Sequence, residues 1–285
     1  MIALVSDYGI TIADVADQPV HSDGVLVSPI TLAFNGIENA VYLGLIWARP
    51  KTILGSMGVV KVVETGVDVD PNVKGKKFVV SPFSRSRGGL GSDVNGIAAE
   101  LASIPQDALM PYVEELGDVS VLAPFLSIAV KVNEVADGKR LLVLGGGPLG
   151  SITAEACEDC DSVGVYSESY RPKSPKVKVV NRLEPSSWDV VFIATLESWA
   201  ADVAARFKTA VLPRLTLQFP PVPIPNAIEI VPYYSDSVPK LARSLGLKHL
   251  SELLVKSDSL EAAIPTVKGK IVVVEAEKIF KKRLP

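Results

Sequence analysis

The chain has 285 residues, enough for one large domain or two of ordinary size, and 48% of them are apolar, with a mean hydropathy of +0.30. Its 29 basic and 32 acidic residues leave a net charge of −3, which excludes the positive footprint that nucleic acid or an anionic membrane demands. No apolar run approaches the roughly 20 residues of a membrane helix, and the segment Met1–Asp7 lacks the basic lead of a signal peptide. Two cysteines cannot build a disulfide framework, so a soluble cytoplasmic protein is expected. The basic cluster Lys281–Lys282–Arg283 reads as a solvated chain end.

The first ~115 residues read as β-rich: apolar runs at Gly24–Pro29, Gly58–Val63 and Lys77–Pro82 are separated by Gly, Pro, Asp and Asn turns. Near residue 117 the pattern changes. Val119–Val135 has a helical apolar period, with Pro124 confined to the first turn. Arg140–Leu144 is a continuous apolar run of the kind a buried parallel strand presents. It leads into Gly145-Gly146-Gly147-Pro148-Leu149-Gly150, then a helix over Ser151–Glu158 and a strand over Ser162–Ser167. Strands are also expected at Lys176–Val180, Trp188–Ala194, Thr209–Leu217 and Ala227–Pro232, with a helix at Ser198–Phe207. Six strands with intervening helices fit a doubly wound parallel sheet. Pro220–Pro225 reads as a stiff extended connector, Ser237–Leu245 and His249–Leu254 as helices, and Gly269–Val274 as a final strand.

The glycine spacing Gly145-x-Gly147-x-x-Gly150, set between a strand and a helix, points to a dinucleotide site. Gly145 permits the tight turn, Gly147 lets a diphosphate approach the backbone, and Gly150 allows close helix–strand packing. Pro148 and Leu149 complete the turn, and the N-terminus of the helix that follows supplies free N–H donors and a partial positive charge. At the end of the second strand stands Ser167, with Glu168 next and Arg171 and Lys173 beyond. A hydroxyl followed by cations suits a 2′-phosphate, so NADP(H) is favoured over NAD(H), although Glu168 leaves a ribose contact of the NAD type open. Cys157-Glu158-Asp159-Cys160 has redox-motif spacing but lies at the end of a helix, where a structural or incidental role is expected. His21 and His249 lack paired ligands and read as surface or capping residues.

Over nearly its full length the chain resembles the medium-chain dehydrogenase/reductase superfamily. Leu54-Gly55-Ser56-Met57-Gly58-Val59-Val60 is similar to that family's "LGHEGAGVV" block and Gly88-Gly89-Leu90 to its "GGFAEY" block. Thr195 is similar to the end of its fourth Rossmann strand, and Lys268-Gly269-Lys270-Ile271-Val272 to its "GKVV" strand. The resemblance implies an α/β protein with a GroES-like β-rich catalytic domain, residues 1–117 and 252–285, and a Rossmann domain, residues 118–251. It also implies that the zinc-ligand positions are Asn35, Ser56 and Ala123, none of them a competent ligand, and that the structural-zinc lobe is missing. Phe34-Asn35-Gly36-Ile37-Glu38 and Gly55-Ser56-Met57 resemble the motifs of zinc-free quinone oxidoreductases. A zinc-free oxidoreductase follows as the expectation, acting with NAD(P)H on a small carbonyl, quinone or activated alkene, with a homodimer or homotetramer as the assembly. The alternatives are a nucleotide-binding protein of the same fold that has lost chemistry and serves as a sensor or assembly partner, and a dehydrogenase whose metal site lies at other positions than these. Asn35, Tyr42 and Ser56 are the candidate catalytic residues, with Glu38 and Thr195 as further polar candidates; Gly145, Gly147, Pro148, Leu149, Gly150, Ser167, Arg171 and Thr195 are the cofactor candidates, and no metal ligand is expected.

Overall fold

A computed structural model describes residues 1–168, 170, 172, 174–259 and 263–280. The expected roles of Arg171, Lys173 and the terminal Lys281–Lys282–Arg283 cluster fall outside the described residues. The first part of the chain carries β1 (Ile2–Ser6), β2 (Ile10–Asp14), β3 (Gly24–Phe34), α1 (Gly36–Tyr42), β4 (Thr52–Ile53) and β5 (Met57–Thr65). It continues with β6 (Lys77–Val80), β7 (Phe83–Ser84), β8 (Gly88–Gly89), β9 (Ala102–Pro105) and β10 (Leu109–Pro111). The centre of this half is β3. Antiparallel β5 lies along one flank, while β9 pairs with Gly24–Val27. The pairing of β3 with β5 shifts register between Pro29 and Thr31, where proline has no N–H to donate.

The second half opens with α2 (Ala123–Ala136), then β11 (Arg140–Leu144), α3 (Pro148–Ala156), β12 (Ser162–Tyr166), β13 (Val177–Val179) and β14 (Val190–Ile193). After these come α4 (Ser198–Ala204), β15 (Ala210–Pro213), β16 (Ala227–Ile230), α5 (Ser237–Leu245), α6 (Leu247–Ser251) and β17 (Leu254–Ser257). The described chain closes with β18 (Ile271–Glu275) and α7 (Ala276–Phe280). The order β13-β12-β11-β14-β15-β16 is parallel throughout, and it reverses direction between β11 and β14. In such sheets the crevice outside the carboxyl ends at the reversal is where ligands bind. Both neighbours of β11 are parallel strands, so Leu141–Leu144 are buried on both faces, which is why the segment is apolar without alternation.

The chain then returns to the first half. β18 pairs antiparallel with Thr31–Phe34 of β3, and β17 adds parallel to β18, a strand that the apolar pattern does not reveal. Two expectations change in detail. The helix after the glycines starts at Pro148, not Ser151, because proline's fixed φ suits the first helical position. The proline-rich 220–225 stretch is a series of bends and not an extended connector; the Arg214 guanidinium donates to the carbonyl of Phe219 there.

The halves meet on two kinds of contact. One apolar cluster runs from Ala33, Ile37 and Met57 through Leu122, Phe125 and Leu126 to Val143 and Phe192, so α2 packs on both. On the other side the loop after β15 inserts between two loops of the first half. The Asp93 carboxylate accepts from the N–H of Gly89 (2.7 Å), the N–H of Leu217 (2.7 Å), the Thr216 hydroxyl (3.1 Å) and the Gln218 amide (3.0 Å). Gln218 also exchanges two hydrogen bonds with the backbone of Trp47, at 2.7 and 2.9 Å. Asp93→Ala removes the acceptor from the part-buried N–H of Gly89 and the exposed N–H of Leu217 and severs the side-chain bonds that join the two loops. It is expected to lower the melting temperature and to raise amide exchange at residues 215–218; an unchanged exchange rate there refutes the role of Asp93 as the polar joint.

Candidate active site

A cleft of about 960 Å³ opens where the sheet order reverses, lined from both halves. From the parallel sheet come the glycine turn, the ends of β12 and β14, and the segment after β15. From the β-rich half come α1, the residues just after it, and Lys268 with Gly269.

The glycines divide the work of the turn. Gly145 has φ +109°, and its N–H donates to the carbonyl of Tyr166 at 3.1 Å. A Cβ on Gly150 would lie 2.1 Å from the carbonyl oxygen of Gly145, so any side chain there would push the turn off the helix. A Cβ on Gly147 would meet nothing within 4 Å, so the backbone is bare and open on the cleft side. The first intrahelical bond of α3 runs from Ser151 N to Gly147 O at 2.8 Å, leaving the N–H groups of Leu149 and Gly150 at the helix start. With the positive end of the helix dipole, this is an anion cradle, and it fits the diphosphate of a dinucleotide.

Beside the turn, Ser167 and Glu168 at the end of β12 and Thr195 at the end of β14 all line the cleft. Gly146 packs so closely against Ser167 and Tyr170 that a Cβ would come within 2.5 and 2.7 Å of them. Tyr170 is anchored from below: its hydroxyl donates to Glu155 of α3 at 3.2 Å, and Glu155 also holds His249. Burial and the Glu155 carboxylate hold the Tyr170 phenol above its ordinary pKa. His249 thus has a carboxylate partner, which its sequence surroundings do not disclose. Cys157 and Cys160 are joined by a disulfide at the far end of α3, outside the cleft lining.

On the opposite wall the structure changes the roles assigned to Asn35, Ser56 and Tyr42. Asn35 is the N-cap of α1: its side-chain oxygen accepts from Ile37 N at 2.9 Å, and its amide donates to the Ser56 hydroxyl at 3.0 Å. Glu38 closes a capping box. One carboxylate oxygen accepts from Asn35 N at 2.8 Å, and the other accepts from both the N–H and the hydroxyl of Ser56 at 2.7 Å. All three residues are buried, and Ser56 does not reach the cleft. Asn35 lines it with an amide already engaged. Tyr42, at the C-terminal end of α1, is 51% exposed and lies outside the lining. The spacing Asn35-x-x-Glu38 is the sequence signal for this cap. Cleft residues that sequence reasoning missed are Asn39, which exchanges two hydrogen bonds with Thr266 (2.6 and 2.7 Å), the leucines Leu43 and Leu45, and the Tyr166–Trp199 edge-to-face pair.

No protein-family model and no curated protein sequence matches the chain. Solved structures do. Glucose dehydrogenase of Haloferax mediterranei, in complex with NADP, zinc and gluconolactone, is 16% identical with a TM-score of 0.68, over 96% of this chain and 99% of that one. For 2R,3R-butanediol dehydrogenase of Bacillus subtilis the values are 18% and 0.63, over 96% and 99%. For acetophenone reductase of Geotrichum candidum, in complex with NAD, they are 14% and 0.68, over 96% of each chain. The chain has the medium-chain dehydrogenase fold: a GroES-like β-rich part joined to a Rossmann sheet.

These matches correct the expectation that the chain belongs to the zinc-free branch. The fold it shares is that of an enzyme solved with zinc and NADP, and the replacements at Asn35 and Ser56 do not by themselves assign it elsewhere. The residues described here do not form a ligand set. No group of three His, Cys, Asp or Glu lies together among them, and both Glu38 oxygens face N–H and O–H donors.

Desolvation raises the Glu38 pKa above the usual carboxylate value, against the lowering effect of its three donors. A carboxyl with a raised folded-state pKa binds its proton more tightly in the native chain. Its contribution to stability is therefore fully present below the unfolded value of about 4.3 and is lost as pH rises through the folded value. Glu38→Gln is expected to remove that falling limb from the dependence of melting temperature on pH above 4. Parallel profiles for wild type and variant would exclude Glu38 from the titration.

Proposed function

We propose that the protein is a nicotinamide-dinucleotide-dependent oxidoreductase of the medium-chain dehydrogenase type, moving hydride between the nicotinamide and a small carbonyl, quinone or activated alkene. The observation that carries this reading is the bare glycine turn at the sheet reversal, opening into a cleft large enough for a dinucleotide. The oxidoreductases that share the fold, among them structures with NADP or NAD bound, agree with it.

In this reading Gly147 and the N–H groups of Leu149 and Gly150 hold the diphosphate, and Ser167 and Thr195 flank it from the strand ends. When bound, the nicotinamide supplies or accepts the hydride. The protein's own part is to orient the two partners and keep water out. Phe125 of α2 and Leu215 after β15 add apolar surface to the lining. A second reading, nucleotide binding without turnover, draws support from the engagement of Asn35 and Ser56 in the α1 cap.

Preference for the phosphorylated cofactor rests on Ser167, where an acid would repel a 2′-phosphate. Ser167→Asp is expected to weaken NADPH at least tenfold (about 1.4 kcal/mol) and to leave NADH unchanged or tighter, by fluorescence titration. An NADH preference in the wild type, unmoved by the substitution, would assign the ribose to Glu168. Consumption of NADPH with any member of a quinone, enone and ketone panel separates the enzyme from the silent binder.

A further inference from the structure

In the oxidoreductase reading a dinucleotide on the glycine turn leaves the β-rich wall of the cleft to a second ligand, and the chemistry of that wall is one-sided. Ile37, Ala40, Leu43 and Leu45 are its apolar residues. Its polar residues are Asn35, engaged in the α1 cap, Asn39, engaged with Thr266, and Lys268. Lys268 is the only Lys or Arg among the described residues of the whole lining.

Leu43 and Leu45 are held out into this space. They are 65% and 53% exposed, on either side of Gly44 with φ +72°. The segment that carries them is fixed at both ends. The N–H of Leu43 donates to Asn39 O at 2.8 Å and that of Leu45 to Ala40 O at 2.8 Å. Ile46 is buried in the interior, and Trp47 is bonded through its backbone to Gln218. Two leucines on an anchored turn, exposed at a cleft mouth, form apolar surface awaiting an apolar occupant.

From this wall, and resting on the oxidoreductase reading above, we infer that the substrate is a carbonyl compound with an apolar alkyl or aryl body seated on Leu43 and Leu45, not a sugar or polyol. A polyol buried here would trade the hydrogen bonds its hydroxyls make with water for aliphatic contacts, with two engaged amides and one lysine as the available polar groups. Sites that bind hydroxyls present matching polar groups, and sites that do not are built for the apolar analogue.

The test is formation of dead-end ternary complexes, which needs no turnover. Acetophenone is titrated against protein saturated with NADP⁺, both oxidised, and glucose against protein saturated with NADPH, both reduced, with calorimetry as the readout. Acetophenone is expected to bind and glucose not to. The Leu43→Asn/Leu45→Asn double variant, altered only at exposed positions, is expected to weaken acetophenone at least tenfold while keeping the wild-type affinity for NADP⁺. Binding of glucose in place of acetophenone, or wild-type acetophenone affinity in the double variant, overturns the inference and leaves the oxidoreductase reading standing. Failure of the wild type to bind either dinucleotide overturns that reading, and this inference falls with it.

Discussion

The carboxylate of Glu38 is buried, and three neutral donors meet it: the N–H of Asn35 and the N–H and hydroxyl of Ser56. Removing an ion from water costs several kcal/mol even after the protein relaxes. Hydrogen bonds to a charged group contribute about 1.5–3 kcal/mol each, so three of them recover much of that penalty, and the raised pKa of Glu38 shows that burial still outweighs them. The arrangement holds only while the end of β3, the first turn of α1 and the start of β5 keep their mutual positions. Everything on the β-rich wall of the cleft hangs from this knot. It sets the direction of α1, hence where Asn39 meets Thr266, and where the chain leaves the helix to present Leu43 and Leu45. It also absorbs Asn35 and Ser56, which cannot turn to a ligand without leaving a buried carboxylate short of donors.

The two joints between the halves respond differently to strain. The apolar cluster around α2 is non-directional, so small rotations cost it little provided packing is kept. The Asp93–Gln218–Trp47 joint is directional and must make its bonds in one geometry. Together they fix how the halves are placed in this structure: α2 supplies the apolar packing between them, and the polar joint adds bonds of defined geometry. The glycines Gly88 and Gly89 belong to this joint, because a Cβ on Gly89 would lie 2.7 Å from the carbonyl oxygen of Leu215.

The Rossmann part was legible in the sequence because its signals are local. A strand buried on both faces shows a continuous apolar run, as Arg140–Leu144 does, and the steric needs of the turn select Gly145, Gly147 and Gly150 at fixed spacing. The β-rich part was legible as a class but not in full. Leu254–Ser257 becomes a strand because Ile271–Glu275 lies beside it, a pairing across sequence that no local pattern encodes. The engagement of Asn35 and Ser56 in the α1 cap was not legible for a related reason. Position in a family motif locates a side chain in space, but which atoms are free depends on its neighbours. Glu38, one turn further on, takes both residues into a cap. Tyr42 is close to Asn35 in sequence, yet it ends α1 half exposed and outside the cleft lining.

The cleft's two walls differ because they are made in different ways. At the carboxyl ends of parallel strands the backbone stops abruptly, and the residues that follow are loops and helix starts, rich in free N–H groups and short polar side chains. Gly147, Ser167 and Thr195 are of this kind. Such a wall suits a polar, charged ligand whatever the protein's task, since its polarity comes from backbone geometry. The other wall is built from the side of a short helix and its C-terminal turn, where side chains alone determine the chemistry. Here those side chains are mostly aliphatic. The glycine-turn end of the cleft is therefore constrained by the fold, while the opposite end is set by a handful of side chains on α1 and the turn after it. That division means that the chemistry particular to this chain has to be sought on the β-rich wall, where sequence change is free of the constraints that hold the glycine turn.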